Sequence, residues 1–462
     1  FMKINKILIP IAVFVVTAIS AYSLVTTNIE DANAYNDILS TARDYASQGI
    51  VDDAVKYYEK AIALKCDVDT YIEYINVYVD NGYEKKALKV AKQMVKDIND
   101  SPKAYECLLD RYIAIKSYED CFQLDDEVTS RKLCSDGFIK KMSNIQYTYA
   151  VDYQLYSSVN AFSGGFAAVE TDGLYGVIDE TGNRVLSKTY SKAGCFSYYT
   201  NNHNQDDSGY VVPVCTKDGE WMYVSSTGNK KIEIDKSLKF DNLGLYIDNG
   251  LTAVSTDGKY AYYNSKFEKQ FGDYEYASAF NCGCAAIKTG KAEWYIINEK
   301  GEKLNSTPYL DVVLDSKEIA FRNDRAFVMI DGSYCMIDTS CNVVGKQTFV
   351  DAKPFLNTKQ VDKKNKSDNS NTVLAAVCSG GKWGYVDTDC NFVIEPQFQD
   401  AHSFSNLFAA VSKDGKWGFI CTDGSIAIDY QFENVDDFNT KGCVFTSTND
   451  RWALIKLYKY NH

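Results

Sequence analysis

The stretch Phe408-Ala-Ala-Val-Ser-Lys-Asp-Gly-Lys-Trp-Gly-Phe-Ile420 decides the fold, because it recurs. Its closest copy is Leu374-Ala-Ala-Val-Cys-Ser-Gly-Gly-Lys-Trp-Gly-Tyr-Val386. Each copy reads as a strand, a two-residue polar turn and a second strand that opens at the tryptophan. An Asp-Gly pair supplies the positive φ values that so tight a hairpin requires. The glycine after the tryptophan removes a side chain where a neighbouring backbone or side chain comes close. Working outward, the aromatic anchor of this motif appears eight times: Tyr175, Trp221, Tyr260, Trp294, Tyr334, Trp383, Trp417 and Trp452. All 5 tryptophans of the chain fall in that slot. The shortest intervals set a unit of about 35 residues, built as a β-meander with a third strand after each second turn. The longer intervals carry insertions, of which 200–209 and 357–371 are almost wholly polar and read as surface loops.

A second signal lies between the anchors. Two aromatic residues recur six apart, at Tyr156/Phe162, Tyr190/Phe196, Phe240/Tyr246, Tyr274/Phe280, Phe349/Phe355, Phe398/Phe404 and Phe432/Phe438. Only the stretch after Trp294 lacks a pair and leaves Tyr309 alone. These rings account for the unusual content of 35 Tyr and 23 Phe, and they read as core between units. A sugar-stacking role is the sharper alternative. The phase of the two signals bears on closure. An aromatic pair precedes the first anchor, whereas the last anchor, Trp452, is followed only by one short strand. The N-terminal piece can therefore complete the last unit, which predicts a closed, propeller-like ring rather than an open β-solenoid with caps at both ends.

Lys382-Trp-Gly-Tyr385, Lys416-Trp-Gly-Phe419 and Val393-Ile-Glu-Pro-Gln-Phe398 resemble the WG-repeat family, named for its Trp-Gly pair. The other anchors depart from it. Tyr175 keeps the glycine, but Met222, Ala261, Tyr295, Cys335 and Ala453 follow the remaining five. The resemblance implies a repeat scaffold of about eight units over 146–462, of a kind common in exported bacterial proteins, with an interaction role. It carries over no catalytic residue.

Residues 34–130 have helical periodicity instead. Gly49, Gly82 and Lys116 are spaced by 33 or 34 residues, as are Tyr45, Tyr78 and Tyr112, and Ala54, Ala87 and Cys121. This order resembles tetratricopeptide repeats, although the third copy has Lys116 for the glycine and the first lacks its terminal proline. Stacked helix pairs bury what one pair cannot. The resemblance implies a short all-α solenoid whose concave groove would display Arg43, Asn76 and Asp110 to a protein or peptide. A solvated helix face is the plainer reading of the same residues.

Ahead of the helices, Lys3 and Lys6 precede an uncharged run of 19 residues, Ile7–Val25. That length and flank predict a signal anchor or transmembrane helix over 1–28, with the bulk of the chain extracytoplasmic on the cell membrane, or secreted if the segment is cleaved. The formal charge of −13 gives no pull toward nucleic acid. The 14 cysteines include Cys341 and Cys390, which stand where sibling turns hold Gly182 and Gly228, so they read as turn fillers rather than disulfide partners. With 3 His, no phosphate loop and no metal-ligand spacing, the sequence offers no catalytic, cofactor or metal set. His402 reads as a turn or surface residue, and every placeable Asp falls in a recurring turn. The expectation is a non-catalytic binding scaffold for an envelope protein, a peptide or a cell-wall glycan. A subunit of an envelope or secretion assembly, and more remotely a glycan-acting enzyme, are the alternatives.

Overall fold

In the computed structural model the described residues are 32–199, 209–232, 234, 238–245, 250–356 and 373–460. They form two units, the first ending at Thr148 and the second beginning at Tyr149. The expected membrane helix over 1–28 and most of the two polar insertions lie outside the described residues. Among the described residues, no helix is long and apolar enough to cross a membrane.

The first unit is helical. It comprises α1 (residues 32–47), α2 (Val51–Leu64), α3 (Val68–Asp80), α4 (Glu84–Asp97), α5 (Pro102–Ala114), α6 (Tyr118–Ser130) and α7 (Asp136–Ile145). The last of these lies beyond residue 130, where the repeats were expected to end. Helix starts follow local chemistry: Asp67, Ser101 and Ser135 each accept a backbone N–H from the first turn of α3, α5 and α7. The predicted face of α2, Ala54, Tyr58 and Ala61, is buried, as are Ala87, Ala91 and Met94 of α4. Gly49, Gly82 and Lys116 all take left-handed φ values of 73°, 76° and 58° at the turns between paired helices.

The second unit is an eight-bladed β-propeller. Each blade is an antiparallel sheet of three or four strands, five in blade 2, that runs outward from the ring centre. Blade 7 shows the plan: a two-residue inner strand Asp400–Ala401, then Phe408–Lys413, Lys416–Cys421 and the outer strand Ile426–Phe432. The hairpin residues Asp414 and Gly415 have φ values of 52° and 73°, as the turn chemistry requires. Blade 8 draws Asn434–Val435, Cys443–Thr448 and Arg451–Leu457 from the C-terminus and takes its outer strand, Tyr149–Tyr156, from the start of the unit. The ring is therefore closed, and the open solenoid is ruled out. Closure leaves no sheet edge at the seam between first and last units.

The two aromatic signals occupy distinct places. The anchor opens the third strand and pairs with the first aromatic of the following pair, as in Tyr175 with Tyr190, Trp383 with Phe398 and Trp417 with Phe432. The last anchor, Trp452, pairs with Tyr156 of the closing strand. The second aromatic packs against the preceding blade. Phe404 lies 4.9 Å from Tyr385, Phe438 lies 4.8 Å from Phe419, and Phe162 stacks on Phe445 across the seam at 5.0 Å. These rings are core between blades.

Candidate functional site

Residues of blades 1, 2, 3, 5 and 8 surround a cavity of about 330 Å3 at the ring centre, whose wall includes Asn160, Cys195, Leu245, Lys317, Asp436 and Trp452. The repeat dictates most of this wall. In four blades residues directly after the inner strand line it: Asn160 in blade 1, Gly194 and Cys195 in blade 2, Gly244 and Leu245 in blade 3, and Asp436 in blade 8.

Blade 5 breaks the repeat. In blades 4 and 7 ten residues separate the inner-strand residue from its partner on the second strand, Ala277 to Ile287 and Ala401 to Val411. In blade 5 the count is 16, Val312 to Val328. The six extra residues are 315–320, and the aromatic that seemed absent is Phe321, fully buried and displaced six positions from its expected slot. The pair after Trp294 is thus Tyr309/Phe321. Doubling the six-residue spacing to twelve was the signal in the sequence for this insert.

The insert crosses the ring centre. Glu318 accepts the Ala279 N–H from blade 4 at 2.9 Å, and Ile319 packs with Leu245 of blade 3 and Ala279. Asp315 clamps its base. One carboxylate oxygen accepts the N–H groups of Lys317 and Ile319 at 2.8 and 2.9 Å, and the other accepts two bonds from the Arg322 guanidinium at 2.9 and 2.5 Å. This presents Ser316, Lys317 and Glu318 to the cavity.

The charges there are poorly compensated. Among the described residues no carboxylate comes within ion-pair distance of the Lys317 ammonium, and burial together with the Arg322 charge holds its pKa below the usual lysine value. Burial pushes the Asp436 carboxyl up to about 7, and neighbouring Asp437 adds to the effect. Burial likewise raises Glu318, against a hydrogen bond from Tyr276. Asp437 has a partner: His402 Nδ1 lies 3.0 Å from its Oδ1. Burial alone would lower the His402 pKa, but the charge and hydrogen bond of Asp437 raise it. His402 also packs on Trp417 at 4.9 Å. His402 is half-buried and does not itself line the cavity. Asp315 heads the same hydrogen-bonded turn as Asp179 and Asp338, with Glu318 at φ 60° in the slot of Cys341, whereas Asp436 and Asp437 follow the inner strand of blade 8 outside that turn.

The other sequence-singled residues are elsewhere. Trp294, Tyr334 and Trp383 are buried, while Tyr175, Trp221, Tyr260, Trp417 and Trp452 keep partial exposure; of the eight, only Trp452 reaches the cavity wall. In the helical unit Arg43 makes a two-pronged ion pair with Glu73, Asp110 pairs with Lys141, and Asn76 is exposed. Lys103 pairs with Asp69 in the same series, so α1, α3, α5 and α7 are joined by successive ion pairs. All 14 cysteines are free thiols, and Cys341 and Cys390 have φ of 64° and 65°, the conformation of the glycines they replace. Among the described residues no group of His, Cys, Asp and Glu could hold a metal ion.

Fold and site together define a closed β-propeller with a charged, partly plugged centre, preceded by a helical unit. The WG containing repeat family matches at residues 155–175, 383–417 and 417–452. No curated protein matches in sequence. Among solved structures, the designed protein Ika8 aligns over 66% of this chain and 97% of its own at 11% identity and a TM-score of 0.40. BamB from Moraxella catarrhalis aligns over 67% and 98% at 9% identity and the same TM-score. The TPR domain of Sgt2 from Aspergillus fumigatus covers 24% of this chain and 76% of its own at 14% identity and a TM-score of 0.20.

Proposed function

We propose that the chain is a non-catalytic binding scaffold that takes its ligand at the propeller centre. The observation that carries this reading is the insert 315–320, which sets Lys317 and Glu318 on the cavity wall while Ile319 and Ala320 pack into the core. Catalysis has less support. Burial pushes the Cys195 thiol up to about 11, away from a reactive thiolate, and His402 is held by Asp437 with no nucleophile recorded beside it among the described residues. On this reading residues 1–28 tether the scaffold to the cell membrane with the propeller outside, and the helices act as a tetratricopeptide-like spacer or protein-docking array. The ligand is an envelope protein, a peptide or a cell-wall glycan.

A second reading, an assembly subunit, is favoured by one feature. Val151, Tyr153 and Leu155 alternate along the closing strand and are exposed, Tyr153 at 96%. Such a stripe on an outermost strand suits pairing with another chain. The test is binding of the full chain to purified wall glycan and envelope fractions, beside a propeller variant (Lys317→Met) and a helical variant (Arg43→Ala, Asn76→Ala, Asp110→Ala). Loss in the first alone supports a site at the ring centre, and loss in the second alone moves it to the helices. Concentration-dependent sedimentation with no ligand bound would favour assembly.

A further inference from the structure

We infer that the central cavity binds a small zwitterion carrying a free amine and a free carboxylate, of amino-acid or dipeptide size, with Lys317 receiving the carboxylate and Asp436 the amine. This rests on the reading of the propeller as a binding scaffold and names the ligand class of that site. The argument is one of charge and space. Lys317 and Asp436 line the same cavity of about 330 Å3, open to solvent on one side and at the lower end of the range for small-molecule sites. The two are oppositely charged, yet they do not meet as an ion pair. Burial and the Arg322 charge lower the lysine, and burial and the Asp437 charge raise the carboxyl, so the attraction between the two, though present, does not offset their surroundings. Other nearby charges are occupied: Asp315 by Arg322, Asp437 by His402, and Glu318 by the Tyr276 hydroxyl.

A simple cation would leave the half-buried Lys317 without an ion-pair partner, and a simple anion would leave Asp436 so. A ligand with both charges compensates both. The remaining wall suits a short, uncharged middle. Leu245, Val159 and Trp452 supply apolar surface. The Asn160 amide group already donates to the Ala193 and Gly194 carbonyls, so this side chain is fixed with its own carbonyl oxygen left to accept. The clamp at Asp315 fixes the backbone from which Lys317 reaches the cavity, which lowers the backbone part of the ordering cost of binding.

The test is calorimetric titration of the full chain at neutral pH with alanyl-alanine, its N-acetyl form and its C-terminal amide. We expect saturable binding of one alanyl-alanine per chain, with each blocked form weaker by about tenfold or more. Lys317→Met should reduce alanyl-alanine to the level of the amide and leave the amide unchanged. Asp436→Asn should do the converse, bringing alanyl-alanine to the level of the N-acetyl form. Unchanged thermal melting of the variants, or a rise, separates these effects from misfolding. The proposal is overturned if alanyl-alanine gives no heat up to about 10 mM, if blocking either end has no effect, or if either substitution weakens all three ligands alike. Should the zwitterion fail while the chain still binds wall glycan or an envelope protein, the scaffold reading stands and only the ligand class falls.

Discussion

At the scale of single residues, the Trp-Gly pair has a mechanical explanation. Trp417 pairs with Phe432 and Phe419 with Ile428, so one residue of the third strand faces three of the outer strand. The bulge drives the outer backbone over Gly418, where an added Cβ would sit 2.5 Å from the Ile428 carbonyl oxygen. Gly384 and Gly176 meet the same obstacle at 2.6 and 2.7 Å. Blade 3 solves the crowding from the other side: Ala261 stands in the third strand and Gly272 opposite it gives way. Gly418→Ala should therefore destabilise by about 1–3 kcal/mol, as overpacking does, measurable as a lower midpoint in denaturant. An unchanged midpoint would show that the bulge relaxes freely. Lys116 presents the opposite case. It holds a left-handed φ of 58° where sibling turns have glycine, so Lys116→Gly should stabilise by up to about 1 kcal/mol. Loss of stability on that change would mean that the lysine side chain contributes more than its backbone strain costs.

At the scale of elements, the blade meander, its turns and its aromatic spacing were legible because each has a local cause. Hairpins need positive φ, the anchor needs a partner across the third and outer strands, and the inter-blade ring needs a fixed offset from it. What was not legible is the site. Its wall is assembled from residues just after several inner strands, which no local pattern marks as convergent. His402 and Asp437 are 35 positions apart in sequence, and nothing in either segment announces the bond between them. The insert left a trace, the missing ring after Trp294, but a gap in a pattern does not reveal the direction in which the extra chain runs. Two substitutions probe this element. Phe321→Ala should cost about 3–5 kcal/mol, as for a fully buried ring, because Phe321 has taken over the inter-blade role held by Phe404 in blade 7. Deleting residues 315–320 restores the six-residue spacing and should leave a cooperatively folding ring by thermal circular dichroism, with the central charges of Lys317 and Glu318 gone. Failure of that deletion to fold would show that the insert supports the ring, and would remove the argument that it is present for a ligand.

At the scale of the whole propeller, the charged centre sets how stability responds to pH. Asp436 has a folded pKa of about 7, above its unfolded value near 3.9. Between those values the folded state holds more protons, so stability falls as pH rises through the window. The His402 pKa is also raised, so its contribution is present below its unfolded value near 6.5 and is lost as pH climbs through the higher folded value. The two effects share a sign. Asp179, Asp338 and Asp423 act at the acid end. Their turn hydrogen bonds hold them below the usual range, although burial opposes this in each, and the stability they contribute above pH 3.9 is lost as pH falls through their folded values. Lys317 acts only at the alkaline end, where its lowered pKa makes stability rise with pH. The melting temperature should therefore peak on the acid side of neutrality and decline toward pH 7. Asp436→Asn removes the largest part of that decline, because an amide neither titrates nor carries the buried charge. Melting curves of the two chains across pH 4 to 8 should diverge, the variant being flatter and higher at neutral pH. Parallel curves would mean that water entering the cavity solvates Asp436 well enough to keep it an ordinary carboxylate, and the centre would then hold no unmet charge for a ligand to satisfy.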